Sequence, residues 1–62
     1  MDLIETLRDI AVCEGFAQGR SLGEISEETG LTVPEVLKRE VDLRLIPAND
    51  AAPILAALER EH

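Results

Sequence analysis

Few side chains in this sequence combine the type and the spacing that catalysis requires. Glu27 and Glu28 are adjacent carboxylates on a short surface helix, where such a pair usually forms a solvated face. Cys13 has no histidine nearby, which favours a packed thiol over a nucleophile. The glycines from Gly15 to Gly23 straddle a helix boundary and follow no strand, so they do not form a phosphate-binding loop.

Metal and cofactor chemistry finds equally little support in the composition. A single cysteine cannot form an internal disulfide, and one cysteine with one histidine cannot build a structural zinc site. A chain of 62 residues also has little room to enclose a pocket for a small-molecule substrate. The sequence therefore predicts a non-enzymatic protein with no catalytic residues, no metal and no cofactor.

Size and charge restrict the partners that the chain can have. We expect one domain, residues 1–62, whose core is small for a stable monomer. Because 45% of the residues are hydrophobic and no disulfide or zinc site stabilises the fold, we expect a homodimer. The 13 acidic and 6 basic residues give a net charge of −7, which disfavours non-specific binding to nucleic acid or to an anionic membrane.

The sequence contains no signal for a membrane. No window reaches the roughly 18 apolar residues of a membrane span. Residues 1–9 lack the basic region and the apolar run of a signal peptide. We therefore expect a cytoplasmic protein without a membrane partner.

The hydrophobic periodicity predicts an all-α fold, a small bundle of four helices with a central helix-turn-helix. The predicted helices cover residues 2–18, 22–29, 33–45 and 51–61. Pro34 and Pro53 are expected in the first turns of their helices, where no backbone N–H is needed. Pro47 is expected to end the third helix, and Asn49 or Asp50 to cap the fourth.

The first helix has a long apolar stripe and an apolar pair on its opposite side. Val12 and Phe16 form the pair, and two interpretations of them remain open. They either belong to a helix that is buried on two sides, or form an exposed patch for a partner or a second copy of the chain. The stripe that we predict to face the core consists of Leu3, Ile4, Leu7, Ile10, Ala11 and Ala17.

The fourth helix has a similar ambiguity. Ile54, Leu55 and Leu58 form its apolar side. They either close the monomer as a fourth wall of the core or form the seam of a dimer.

Residues 21–45 have the local signals of a helix-turn-helix. Ser21 and Glu24 have the spacing of a capping box, and Thr32 and Glu35 repeat it. Gly30 lies between them and can take the left-handed conformation that ends a helix. Two short helices joined by a tight glycine turn make a helix-turn-helix.

Residues 18–45 resemble the helix-turn-helix of bacterial and phage transcription regulators, such as sigma-factor-like and small repressor-like domains. The resemblance rests on the Gly-Arg-Ser sequence that precedes the capped helix, on two inward residues and on the turn glycine. These are Gly19, Arg20, Ser21, Ile25, Val36 and Gly30. The resemblance implies that residues 33–45 would lie in the major groove of DNA. Arg39 departs from the pattern, because the family usually has an apolar residue there.

The outward face of the third helix has no net charge. It consists of Glu35, Lys38, Arg39 and Asp42. Each base has an acid one turn away, so it can pair within its own helix. If the chain bound DNA, its phosphate contacts would come from Arg20, Lys38 and Arg39. No asparagine or glutamine of this helix is available to read adenine.

These features favour a small regulatory protein that uses a helix-turn-helix-like scaffold to bind a protein partner. A phage- or plasmid-type modulator or inhibitor of a host protein would have this character. The alternative is a dimeric, sequence-specific DNA-binding transcription regulator, whose recognition helices would lie about 34 Å apart. A structural module of a larger assembly is the third interpretation.

Overall fold

The computed structural model describes residues 2–60, which form four α-helices and no strand. Helix α1 spans Leu3–Ala17, α2 spans Leu22–Thr29, α3 spans Val33–Asp42 and α4 spans Ala48–Arg60. The predicted all-α fold of four helices is confirmed. The predicted end of the fourth helix at residue 61 lies outside the described residues. Within residues 2–60, no helix combines the length and the hydropathy that a membrane span requires.

Side-chain caps explain where the second and third helices begin. Ser21 Oγ accepts from the Glu24 N–H at 3.2 Å, and Glu24 Oε1 accepts from the Ser21 N–H at 3.0 Å, which completes the predicted capping box. The box predicted at Thr32 is only half formed. Thr32 Oγ1 accepts from the Glu35 N–H at 3.3 Å. The Glu35 carboxylate, however, accepts from the Thr32 hydroxyl and not from the Thr32 backbone N–H.

The turn between α2 and α3 is fixed by hydrogen bonds on both sides of Gly30. This glycine has φ +75°, and its N–H donates to the Ser26 carbonyl at 2.9 Å. The Ser26 hydroxyl donates to the Leu31 carbonyl, and Thr29 Oγ1 donates to the Ile25 carbonyl at 2.8 Å. These bonds satisfy the backbone of the turn and carry Leu31 into the core, where it is 6% exposed.

Helix α3 ends at Asp42, before its predicted end at residue 45. Arg44 takes the left-handed conformation with φ +62°. Its N–H donates to the Val41 carbonyl at 3.0 Å, and the Leu45 N–H donates to the Glu40 carbonyl at 2.9 Å. This pair of bonds is a Schellman motif, so a backbone reversal at Arg44 ends the helix, not Pro47.

Helix α4 begins at Ala48, earlier than the predicted residue 51. The Pro47 carbonyl accepts from the N–H groups of Asp50 and Ala51 at 3.1 and 3.2 Å, so Pro47 occupies the start that we assigned to Asn49 or Asp50. As a result Pro53 lies inside the helix and not in its first turn. There it removes the N–H that would bond to the carbonyl four residues earlier.

The core joins α1, α2 and α3, and α4 packs on its outside. Val12, Ile25, Leu31 and Val36 form the central cluster. Helix α1 packs against α2 and α3, whereas α4, within the described chain, contacts α3 alone. Leu37 and Ala51 are the buried residues of that second contact.

Candidate protein-interaction surface

The outward face of α3 retains three of the four side chains predicted for it. Glu35, Lys38 and Asp42 are exposed, whereas the Arg39 side chain is 21% exposed because it turns towards α1. Within residues 2–60, Lys38 forms no ion pair with Asp42 and Arg39 forms none with Glu35. The predicted pairing of each base within its own helix is therefore wrong.

Arg39 connects α3 to α1 through two carboxylates. Its Nη1 donates to Asp9 Oδ1 at 2.7 Å, and its Nη2 donates to Glu5 Oε2. Arg8 Nη1 also contacts Glu5, at 3.1 Å from Oε1. The hydrogen bond from Arg39 holds the pKa of Glu5 below its ordinary value, and the two carboxylates raise the pKa of Arg39. Arg39 thus links two helices.

A shallow groove of about 380 Å³ runs between α1 and α3 beside this link. Its lining consists of Glu5, Asp9, Glu35, Lys38, Arg39, Asp42 and Leu43. Four carboxylates and two cations give it an excess of negative charge. Phosphate would be repelled from such a groove, while a cationic group would be attracted.

The remaining predicted phosphate contact, Arg20, forms an ion pair with Glu28 of α2. Of the three predicted cations, Arg20 and Arg39 therefore have carboxylate partners. Lys38 has none within the part of the chain that the structure describes. A specific DNA interface commonly uses several phosphate contacts, which this arrangement does not supply.

The largest exposed apolar feature lies on α1 and corrects the sequence analysis. The stripe that we predicted to face the core is on the outer side of the helix. Leu3 is 69% exposed, Leu7 is 56% exposed and Ile10 is 48% exposed, with Ile4 beside them at 61%. We call these four residues the α1 stripe. They expose on the order of 400 Å² of apolar surface, comparable to the largest patch of a typical monomer.

The orientation of α1 follows from how closely it approaches α2. Gly15 is buried, and a Cβ at this position would lie 2.7 Å from Ile25 Cγ1. Val12 is 0% exposed and belongs to the same core cluster as Ile25. At about 100° per residue, Val12 lies on the opposite side of the helix from Leu3. Packing through Val12 and Gly15 therefore turns the stripe outward.

Of the two interpretations of Val12 and Phe16, the exposed pair does not form. Val12 is in the core, which agrees with the buried interpretation of this residue. Phe16 is 39% exposed. At about 100° per residue it lies closer to Asp9 than to the α1 stripe around the helix. It is therefore not the anchor of the exposed apolar surface.

The residues of the predicted dimer seam have different environments on α4. Ile54 is 44% exposed, whereas Leu55 and Leu58 are half-buried. Leu55 lines an apolar groove of about 320 Å³ between α3 and α4 together with Leu37 and Ala51. Leu55 therefore serves the contact with α3, and Ile54 is the apolar side chain of this set most available to a second copy.

Two further groups carry potential reactivity, a thiol and a buried carboxyl group. Cys13 is a half-buried free thiol. Glu40 is 4% exposed, and burial raises the pKa of its carboxyl group. Neither residue lines the groove beside Arg39.

Sequence reasoning missed Glu5 and Asp9 as partners of Arg39, and the α1 stripe as a surface. One signal for the orientation was present: Val12 and Gly15 lie within one turn on the same side of α1, and a glycine there permits close helix approach. The apolar stripe was the stronger periodic signal, so it was assigned to the core. Nothing local in the sequence pairs Arg39 with a residue 30 positions away.

Comparisons with protein-family models, with curated proteins and with solved structures find no match to this chain. The proposed function therefore rests on the geometry of this chain.

Proposed function

We propose that this chain is a non-enzymatic regulatory protein that binds a protein partner in the cytoplasm, with a helix-turn-helix-like arrangement as its scaffold. The α1 stripe is the observation that carries the proposal. A helix that exposes Leu3, Leu7 and Ile10 on one side has the surface expected of a protein contact. Such an apolar centre is where the binding energy of an interface is concentrated.

Electrostatics supports a protein partner over nucleic acid. The groove beside α3 has four carboxylates and two cations, and Arg20 is paired with Glu28. The sequence has a net charge of −7. Binding to DNA depends on releasing counterions from phosphates through Lys and Arg, so both the local and the overall charge oppose it.

The experiment compares a wild-type bait with two variant baits in an affinity enrichment from the organism that encodes the chain. The first variant carries Leu7→Ser and Ile10→Ser. We expect a protein that the wild type retains and the double variant loses. The matched control is Ile54→Ser, which removes an exposed isoleucine from α4 and should retain the same protein. Circular dichroism establishes that all baits are folded.

A duplex titration tests the DNA-binding alternative. We expect no shift of a generic duplex at about 50 mM salt, where electrostatic binding is strong. Binding that falls steeply with salt, persists in the Leu7→Ser, Ile10→Ser variant and disappears in Lys38→Gln would overturn the proposal in favour of a DNA-binding regulator.

A further inference from the structure

We propose that the α1 stripe binds an amphipathic helix of another protein, whose apolar face is bordered by lysine and arginine. This inference rests on the proposed function and specifies the chemistry of the partner. The surface that carries it is one straight helix side, with Leu3, Leu7 and Ile10 at helical spacing. Apolar residues at such spacing are matched by a second helix that packs its own ridge against them.

A groove beside the stripe extends the apolar contact. It has a volume of about 330 Å³ and lies between α1 and the end of α2. Its lining consists of Ile4, Leu7, Arg8, Ala11, Glu28 and Thr29. Ile4 and Leu7 belong to both the stripe and the groove, so one large apolar side chain of the partner could enter the groove while its helix lies along the stripe.

Acidic side chains outnumber basic ones on the two helices that form this surface. Helix α2, which forms the far wall of the groove, contains three glutamates and no basic residue. Glu28 lines the groove itself, where it pairs with Arg20, and Arg8 of α1 also lines it. Glu14 is exposed and lies one turn beyond Ile10, where it continues the direction of the stripe. An apolar ridge with lysine and arginine at its edges complements these charges.

A second copy of the chain is a poor occupant for the same reason. The described residues of α1 and its cap contain four acids, Asp2, Glu5, Asp9 and Glu14. Arg8 is the only base of α1, and it already contacts Glu5. Arg39 of the same copy already pairs with Glu5 and Asp9, so Glu14 is the acid that a contact through the stripes would bring together. Each copy also carries a net charge of −7, which opposes the contact.

The test uses two synthetic helical peptides and the full chain. Both peptides have leucine at the positions of one helix face, and their bordering positions are lysine in one and glutamate in the other. Fluorescence anisotropy measures the dissociation constants. We expect the lysine peptide to bind at least about tenfold more tightly than the glutamate peptide, a difference that shrinks as salt screens the charges.

Variants locate the binding. Leu7→Ser with Ile10→Ser should weaken the lysine peptide at least about tenfold, whereas Ile54→Ser should leave it unchanged. Glu14→Lys should weaken the lysine peptide and strengthen the glutamate peptide. The matched control is Glu59→Lys on α4, which makes the same charge change away from the stripe. It should not change the ratio of the dissociation constants of the two peptides.

Three results would overturn the inference. They are equal binding of the two peptides, binding that Leu7→Ser and Ile10→Ser leave unchanged, and a dimer of the chain that these substitutions dissociate. If the affinity enrichment still yields a stripe-dependent protein while the peptides fail, the proposed function stands and the basic amphipathic helix is the wrong partner chemistry. If the peptides bind as expected and the enrichment yields no stripe-dependent protein, the inference about the surface stands and the regulatory function fails.

Discussion

Gly15 is the residue through which α1 comes close to α2. A methyl group in its place would lie 2.7 Å from Ile25 Cγ1, and Ile25 is 0% exposed, so it has no free space to move into. Alanine normally favours a helix interior over glycine by about 1 kcal/mol. Overpacking of a core costs about 1–3 kcal/mol and outweighs this gain.

We therefore expect Gly15→Ala to lower the free energy of unfolding by about 1–2 kcal/mol in urea titrations. Gly23→Ala is the matched control, because a Cβ there would meet only Ser21 Oγ, at 3.9 Å. It should raise the stability by up to about 1 kcal/mol. If Gly15→Ala is stabilising like Gly23→Ala, α1 does not pack on α2 through this side, and the outward position of the α1 stripe is wrong.

Glu40 is a carboxyl group in a buried position, and burial raises its pKa above the ordinary 4.5. Folding therefore favours the protonated form. Above the folded-state pKa, the charged carboxylate lowers the stability of the fold by its full amount. This loss of stability disappears as the pH falls below 4.5.

We expect Glu40→Gln to raise the midpoint of thermal unfolding at pH 7, because the amide carries no charge to desolvate. The gain should shrink as the pH falls towards 4.5 and below, where the carboxyl group becomes protonated in both states. Scans of both proteins from about pH 4 to 8 measure the difference. A gain that is constant over this range would mean that the carboxyl group is solvated.

Helix α3 has an unusual end, because the left-handed position of its Schellman motif is Arg44 and not glycine. The equivalent position after α1 is Gly19, with φ +75°. A residue with a side chain costs roughly 1 kcal/mol or more in this conformation. Part of the gain from glycine is offset by the greater freedom of the unfolded chain.

We expect Arg44→Gly to stabilise the fold by about 0.5–1 kcal/mol in urea titrations. Arg44→Ala is the control, because it removes the same exposed side chain and keeps the left-handed strain. It should give no comparable gain. Equal effects of the two substitutions would show that the arginine side chain matters and the backbone conformation does not.

At the level of the helices, the second feature is the link between α1 and α3. Arg39 binds Glu5 and Asp9, whereas its neighbour Lys38 has no ion pair within the described residues. Arg39 holds the pKa of Glu5 below 4.5. The stability that this contributes is present above pH 4.5 and is lost as the pH falls through the lowered pKa.

We expect Arg39→Gln to lower the midpoint of thermal unfolding at pH 7 and Lys38→Gln to leave it nearly unchanged. The difference between the two variants should decrease below pH 4.5 and at high salt, because protonation and screening both remove the attraction. This pH trend is measured by thermal scans of both variants. If the two variants are equally stable at pH 7, the link contributes nothing to the fold.

The elements also show what local sequence can predict. The bounds of α2 were predicted and are observed, since Ser21 starts it and Gly30 ends it. The end of α3 was missed because Arg44 carries no local sign of a left-handed conformation. The orientation of α1 was missed because periodicity identifies the apolar side of a helix but not the side that meets a neighbour. A close approach of Gly15 to Ile25 decides that side, and it is a tertiary contact.

At the scale of the whole molecule, the core is small and two apolar surfaces remain outside it. The buried hydrophobic residues are Val12, Ile25, Leu31, Val36, Leu37 and Ala51. Glu14 continues the α1 stripe, and like charges disfavour a contact between copies through this side. On α4, Ile54 is exposed, and exposed Ala57 lies on the same side of the helix. The predicted homodimer would use Ile54, the exposed residue of the seam that the sequence analysis placed on α4.

If the chain dimerises through α4, its thermal midpoint should rise with protein concentration, because association stabilises the folded state by mass action. Ile54→Ser should remove this dependence and give a monomer in sedimentation equilibrium. Leu7→Ser should leave the dimer intact, which separates the surface for a second copy from the surface for a partner. A wild type that is monomeric at every concentration would exclude the homodimer. A dimer that Leu7→Ser dissociates would show that carboxylates around α1 do not prevent self-association.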